Sequence, residues 1–218
     1  MMAKVSAIPV KAIQVAGTIN VQPFMLNVYI KSPYQNVGEL TAAMKKKGTG
    51  ATYATSAPNG VVMGEIYKAV TGIQAIEVSY RTGADSLNEL SSGKLDYAML
   101  DPVLSLAQQR EGRLRILAVS SGKRLEASPD LPTMAEQGVP MDLTGWWAAM
   151  VPAGTPKPVV DKINQWFVQM VGSAETKKFL NSFGGDPYIS TPEAGQQHLI
   201  KSIQEWGGYV KLAKIVPQ

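Results

Sequence analysis

Hydrophobic and polar positions along residues 24–151 follow two alternating periods. Residues 75–80 alternate apolar and polar side chains one by one, which is the two-residue period of a half-buried strand. Residues 61–70 repeat apolar side chains at four-residue steps, which places them on one face of a helix. Because strand-like and helix-like runs take turns, the pattern predicts an α/β fold with a mostly parallel sheet and helices on both faces.

Glycine, proline and helix-capping residues set the bounds of the predicted elements. The first helix begins at Asn36, which pairs with Glu39 as a capping box, and ends at Gly48. Strands are expected at residues 12–17, 24–30, 51–55, 75–80, 95–100, 114–119 and 146–151. Further helices are expected at residues 61–70 and 102–109, with shorter ones from Asp85 to Gly93 and from Leu131 to Gly138.

Residues 155–218 form a different pattern, with three amphipathic helices and little strand of their own. These helices begin near positions 156, 173 and 192, after residues suited to helix starts. Their apolar stripes must be buried, yet residues 12–17 are the only strand left to offer a surface. One strand is not a sheet, so the sequence predicts that part of a second lobe is missing or supplied by another chain.

Three loops follow a strand and precede a helix, at residues 55–60, 80–83 and 100–102. In a parallel sheet such loops share the carboxyl edge, where α/β proteins bind ligands. Hydroxyl groups and free helix-start amides in the first loop can hold a carboxylate or a phosphate. The candidate ligand-binding residues of the three loops are Ser56, Asn59, Gly60, Arg81, Thr82, Gly83 and Asp101.

The second and third loops add specific groups. Gly83 allows the backbone to approach an anion, and Arg81 can add charge. Asp101 can accept a hydrogen bond from a ligand hydroxyl, amine or water, or can cap its own helix. Because strand–helix loops need such residues whatever the function, a purely structural role stays open for each loop.

The Trp146-Trp147 pair lies on the last predicted strand. Successive side chains of a strand point to opposite faces, so one ring faces the core and the other faces the opposite side or a cleft. Trp146 is therefore a candidate aromatic wall for a ligand, with core packing as the alternative.

Composition and charge exclude several classes of function. The net charge is +4, but Lys45-Lys46-Lys47 is the only basic run and suits a helix C-terminus, so nucleic acid is not predicted as a partner. The absence of cysteine excludes thiolate nucleophiles and zinc–sulfur sites. His198 is the only histidine, and its place beside the apolar stripe of the last helix favours a surface or boundary position. No catalytic residue, cofactor or metal is predicted.

Four segments carry a resemblance to a known family. They are Leu117–Arg124 (LAVSSGKR), Pro129–Gly138 (PDLPTMAEQG), Trp146-Trp147 and Val151–Val160 (VPAGTPKPVV). In order and spacing they resemble the signature of the tripartite tricarboxylate transporter receptors, the Bug-type solute-binding proteins. Residues 36–40 and 80–83 fit the family more loosely, and the resemblance extends over essentially the whole chain.

The resemblance implies a periplasmic receptor rather than an enzyme, with a periplasmic binding protein type II-like fold. Two α/β lobes joined by crossover strands would hold a small organic carboxylate, gripped largely through backbone amides, and membrane transporter subunits would be the partners. On this basis residues 1–26 are a remnant of lobe 1 with a crossover, 27–150 the complete lobe 2, and 151–218 C-terminal helices of an incomplete lobe 1.

Departures from the family pattern leave alternatives open. The start of the chain, Met1–Val5, has neither the apolar core nor the cleavage site of a signal peptide, and the first-lobe sheet is expected to be missing. The first ligand loop is about two residues short and holds Pro58, and Ser86 stands where proline is common. The alternative is a truncated relative that does not bind or that forms homo-oligomers; an enzyme on the same sheet ranks lowest.

Overall fold

The computed structural model describes residues 10–212, and the described chain divides into two compact units. Unit 1 contains residues 10–21, 146–181 and 186–212, and unit 2 contains residues 22–145 and 182–185. The unit boundaries lie at 21/22 and 145/146, whereas the lobe boundaries were predicted at 26/27 and 150/151. The assignment of the units to the lobes of a receptor stays a prediction.

The secondary structure alternates as the sequence pattern predicts. The strands are β1 (Ile13–Pro23), β2 (Met25–Tyr29), β3 (Thr52–Thr55), β4 (Ile76–Ser79), β5 (Tyr97–Leu100), β6 (Leu114–Val119), β7 (Thr144–Pro152) and β8 (Asp186–Pro187). The helices are α1 (Val37–Lys47), α2 (Pro58–Thr71), α3 (Leu87–Ser91), α4 (Pro102–Arg110), α5 (Lys157–Gly172), α6 (Ala174–Ser182) and α7 (Pro192–Leu212). As predicted, Asn36 caps α1 by accepting a hydrogen bond from the Glu39 amide, and Gly48 ends the helix.

Unit 2 is built on a five-stranded sheet with the order β4-β3-β5-β2-β6. β3 pairs in parallel with both β4 and β5, while β2 runs antiparallel to its neighbours β5 and β6. Four of the five strands, β4, β3, β5 and β6, therefore run in one direction, and the prediction of a mostly parallel sheet holds except for the reversed β2. Neither neighbour of β2 follows it directly in the chain, because α1 leads from β2 to β3, so its direction depends on pairing between distant segments.

Three fully buried tyrosines fill the space between α2 and the sheet of unit 2. The Tyr53 ring stacks on Tyr97 with 5.2 Å between centroids, and Tyr67 meets Tyr97 edge-on at 5.8 Å. Burial raises the pKa of Tyr67 to about 12 and raises the pKa of the other two phenols further. Gly64 of α2 faces Tyr53, where a Cβ atom would lie 2.3 Å from the ring. Glycine at this position therefore allows α2 to pack directly on β3.

The signature segment between residues 117 and 138 has a structural role in unit 2. The buried Ser120 hydroxyl accepts from the Phe24 amide and donates to the Leu143 carbonyl, so it joins three chain segments. Arg124 pairs with Glu136 at 3.0 Å. Hydrogen bonding by the Thr133 amide, and then by the Arg124 side chain, lowers the pKa of Glu136. These residues hold a long connection in place and do not need a ligand for that role.

The predicted helix between Leu131 and Gly138 is wrong, because this segment forms successive turns. The Pro132 carbonyl, which a helix would pair with a later amide, accepts from the Val119 amide, and the Met134 amide donates to the Val119 carbonyl. Backbone groups that a helix would use internally are thus committed to the end of β6.

Unit 1 contains a three-stranded sheet with the order β7-β1-β8. β8, which the sequence pattern did not predict, pairs antiparallel with β1. Helix α5 packs against β1 through Phe167, whose ring occupies the space that a side chain at Gly17 would need. Val159, Trp166 and Met170 of α5 nevertheless remain exposed. The sheet thus gives the helices more surface than the single predicted strand, but not enough to cover every apolar side chain.

His198 of α7 lies in an aromatic cluster of unit 1. Its ring centroid is 4.8 Å from Trp146 and 5.3 Å from Tyr188, and its Nε2 atom is buried without a hydrogen-bond partner in residues 10–212. Burial lowers the pKa of His198; Glu205 acts in the opposite direction and Lys201 in the same direction.

We expect the free energy of unfolding to fall as the pH is lowered through about 6.5, the ordinary pKa of histidine. A folded-state pKa below the unfolded value means that the unfolded chain binds more protons in this range, so acid favours unfolding until the folded-state pKa is passed. Urea unfolding between about pH 8 and pH 5 measures this slope. His198→Phe keeps a ring but removes the only histidine. Equal slopes for the variant and the parent between about pH 5.5 and 7.5 would contradict the prediction.

Candidate ligand-binding site

Three strand–helix junctions of unit 2 lie side by side at the carboxyl ends of β4, β3 and β5. The three strands are parallel neighbours in the order β4-β3-β5, and each is followed directly by a helical turn. We call these junctions, residues 56–60, 81–83 and 101–103, the carboxyl edge. It contains seven of the eight predicted ligand-binding residues, and it is the part of an open α/β sheet where ligands bind.

The first junction leaves the start of α2 open. The N-cap residue is Ala57, which has no side chain that could accept from the first-turn amides. α2 begins at Pro58, so Asn59 and Gly60 lie in its first turn and not in a loop as predicted. Neither Ser56 nor Asn59 makes a side-chain hydrogen bond within residues 10–212. This junction therefore offers unpaired polar groups and the positive end of a 14-residue helix.

Gly60 is required by the approach of α2 to β5. A Cβ atom at this position would lie 2.8 Å from the Met99 carbonyl oxygen, a backbone atom that cannot move aside. Only glycine therefore lets the first turn of α2 lie this close to the sheet. This packing role is what the structure gives for Gly60, and contact with a ligand stays a prediction.

The second junction is closed by its own side chains. Thr82 caps a short 3₁₀ turn, Gly83–Ser86, and Asp85 completes a capping box by accepting from the Thr82 amide at 3.0 Å. The predicted cap was Asp85, but the turn begins two residues earlier, so Asp85 takes the third position of the box. Arg81 precedes the turn and is exposed.

The three junctions meet around Gly83. A Cβ atom built on this buried glycine would lie 2.6 Å from Leu104 of α4 and 3.4 Å from the Ser56 hydroxyl. The predicted Ser56 and Gly83 are therefore brought together, with Leu104 as a third member that sequence reasoning missed. An exposed-looking leucine in the first turn of a helix gave no signal of this contact.

Asp101 closes the third junction. Its Oδ1 atom accepts from the Leu104 amide at 3.0 Å, and its carbonyl accepts from the Ser105 amide and hydroxyl. The capping role that the sequence left open is thus confirmed, while a direct role in ligand binding stays a prediction. Across the carboxyl edge, two of three helical starts carry their own carboxylate, and only the start of α2 does not.

Trp146, the eighth predicted residue, belongs to unit 1. Its ring meets His198 and Tyr188 edge-on, at 4.8 and 6.4 Å between centroids. The neighbouring Trp147 is 59% exposed, so the two rings differ in environment as the strand period predicts. Trp146 as a ligand wall stays a prediction.

A groove of about 400 Å³ in unit 1 was not predicted from the sequence. It lies where α5 and α7 begin beside β1, and Lys157 there pairs with Asp161 at 2.8 Å and with Glu193 at 3.5 Å. Hydrogen bonding to Asp161 raises the pKa of Lys157, and a backbone hydrogen bond, followed by the charge of Lys157, lowers the pKa of Glu193. The charged groups of this groove thus satisfy one another.

Residues 10–212 contain no cluster of three or more His, Cys, Asp or Glu side chains suited to a metal ion. No helix in the same range is long and apolar enough to cross a membrane.

Comparison with known proteins gives consistent matches. A family model described as the tripartite tricarboxylate transporter family receptor matches residues 1–214. Protein BugT of Bordetella pertussis is 27% identical over 175 residues, which are 80% of this chain and 51% of that protein. R. palustris Rpa4515 with adipate has a TM-score of 0.87 at 27% identity, covering 100% of this chain and 74% of that one. MatC from Rhodopseudomonas palustris, with bound malate, has a TM-score of 0.76 at 19% identity, covering 96% and 73%.

The chain spans about half the length of the curated relatives it matches, with 51%, 52% and 49% for three of them. The structural matches cover nearly the whole of this chain, and they confirm the predicted α/β fold of the periplasmic binding proteins.

Proposed function

The chain belongs to the tripartite tricarboxylate transporter receptor family, and on that premise we propose that it binds a small organic carboxylate. The family resemblance predicted from the sequence is thereby confirmed. Members of this family are solute-binding receptors and not enzymes, which favours binding without chemistry for this chain. The relative with 27% identity and a TM-score of 0.87 is described with adipate, a dicarboxylate, and this likeness supports the same class of ligand here.

The open start of α2 is the observation that carries the proposal. A carboxylate placed there would accept from the Asn59 amide, which has no partner among residues 10–212, whereas Pro58 has no N–H and the Gly60 and Val61 amides donate to the Ala57 carbonyl. The unpaired Ser56 hydroxyl and Asn59 amide could donate to the same group, and the exposed Arg81 would add a positive charge nearby. Thr82, Gly83 and Asp101 complete the carboxyl edge around it.

We also propose the cellular setting from the family. Receptors of this family act in the periplasm together with membrane transporter subunits, and we assign both the location and the partners to this chain. The proposal concerns the complete receptor as well as this chain, because the relatives are about twice as long as the part matched.

Titration calorimetry with adipate, glutarate, succinate and benzoate tests the proposal. We expect at least one of these acids to bind, and Ser56→Ala and Asn59→Ala each to weaken it by about tenfold, because each removes one hydrogen bond to a charged group. Gln74→Ala serves as a control, since Gln74 is exposed before β4, at the opposite edge of the sheet. A folded protein that binds none of the acids would overturn the proposal and favour the non-binding alternative.

A further inference from the structure

We infer that Asp101 acts as a charge filter, limiting the ligand to a single carboxylate at the carboxyl edge of unit 2. The inference rests on the proposed function, because it concerns the same site. It adds a restriction on the ligand: a second carboxylate close to the first one is rejected. A branched tricarboxylate is therefore a poor ligand, and an unbranched acid whose charges are far apart is a good one.

The position of Asp101 follows from strand register. Thr55 of β3 pairs with Met99 of β5, so Ala57 and Asp101 occupy equivalent positions where the two parallel strands end. Neighbouring strands lie about 4.8 Å apart. A carboxylate bound at the start of α2 therefore has the Asp101 side chain as a near neighbour.

Asp101 is held in this position by its capping hydrogen bond. Its Oδ1 atom is held by the Leu104 amide at 3.0 Å, which fixes the carboxylate over the first turn of α4. The negative charge also offsets the positive end of α4, so that helix start attracts no further anion. Asp101 is only partly buried, so its charge is not fully enclosed by the protein.

The other charged side chains at and beside the carboxyl edge also disfavour a second ligand carboxylate. Asp85 brings a second carboxylate into the neighbouring junction, where it accepts from the Thr82 amide. Arg81 is the cationic side chain of the three junctions, residues 56–60, 81–83 and 101–103. The positive side of the balance therefore consists of Arg81 and the open start of α2, and the negative side consists of the Asp85 and Asp101 carboxylates. This set can balance one anionic group, and an additional anionic group would have no partner.

The expected size of the effect follows from Coulomb's law. Two unit charges about 8 Å apart, at an effective dielectric constant of about 20, change an equilibrium roughly 30-fold before screening by salt. Partial exposure and physiological salt reduce this to about tenfold.

Glutarate and tricarballylate form a matched pair of probes, because tricarballylate is glutarate with a third carboxylate on its central carbon. We expect calorimetry to show that the full chain binds glutarate at least about tenfold more tightly than tricarballylate. In Asp101→Asn the affinity for glutarate should rise, because its bound carboxylate loses a like-charged neighbour, and the affinity for tricarballylate should rise more, so that the ratio falls to about twofold. Asparagine keeps an oxygen for the Leu104 amide, so the cap survives while the charge is lost.

Two further variants provide a second test of the Asp101 charge and a control for it. Asp101→Ser is a second uncharged cap and should lower the ratio in the same way. Asp96→Asn removes a carboxylate just before β5, at the opposite end of the same strand, and should leave the ratio unchanged. Thermal melting of each variant checks that it is folded.

The outcomes separate the inference from the proposed function. A ratio that stays at tenfold in both Asp101 variants, or a parent that binds both acids equally, overturns the charge filter and leaves carboxylate binding intact. A parent that binds neither of these probes nor the other acids overturns the proposed function, and the charge filter with it.

Discussion

Ala57→Asp should stabilise the protein and abolish carboxylate binding at the same time. The new carboxylate would cap α2 by accepting from the Asn59 amide, the open N–H of the first turn, which raises the free energy of unfolding by about 1 kcal/mol. It would also occupy the place proposed for the ligand and repel it, so affinity should fall by about 100-fold or more. Urea unfolding and calorimetry with adipate or glutarate measure the two effects independently.

Ala57→Ser is the matched control for this variant. Serine caps the helix without adding charge, so we expect a similar gain in stability but a smaller loss of affinity. The opposite signs of the two effects exclude misfolding as the cause of lost binding. If Ala57→Asp were more stable and still bound the acid with the parent's affinity, the start of α2 could not be the ligand site.

Of the substitutions considered for this protein, Gly64→Ala should lower the free energy of unfolding the most, by about 3 kcal/mol. The added Cβ atom would lie 2.3 Å from the Tyr53 ring, which is stacked on Tyr97 and whose hydroxyl donates to Glu65 at 2.9 Å. Because the ring is held on several sides, α2 must move away from β3. Urea unfolding of the variant and the parent measures the change.

Gly207→Ala provides the contrasting control. Gly207 lies in α7 with no atom within 4 Å of a built Cβ, so alanine there should raise stability by about 0.5–1 kcal/mol through helix propensity alone. If Gly64→Ala behaved like Gly207→Ala, the close packing of α2 on Tyr53 would be contradicted.

The candidate site shows which kinds of information a sequence carries. Ser56, Thr82 and Asp101 could be placed at strand–helix junctions because capping residues and short periodic runs act over a few neighbouring positions. The roles of Gly60 and Gly83 could not be predicted in the same way. Gly60 is required by the Met99 carbonyl of β5, and Gly83 packs against the Leu104 side chain of α4.

The secondary structure also divides into features set by neighbouring residues and features set by distant ones. The end of α1 at Gly48 follows from neighbours in the chain and was predicted. The helix expected at 131–138 failed because Val119, more than ten residues earlier, takes the backbone bonds of this segment. β8 was missed because its two residues form a strand only by pairing with β1.

The sequence by itself determined the family, the alternation of strands and helices, and the edge of the sheet where a ligand would bind. These features follow from local periodicity and from motifs of fixed spacing, which need no knowledge of distant contacts. Only the tertiary structure decided that β2 runs against its neighbours, and that Asp85 and Asp101 close two helical starts while Ala57 leaves the third open. Strand order and the sharing of hydrogen bonds depend on residues far apart in the chain, so the number of charges that the carboxyl edge can accept becomes visible only in the folded protein.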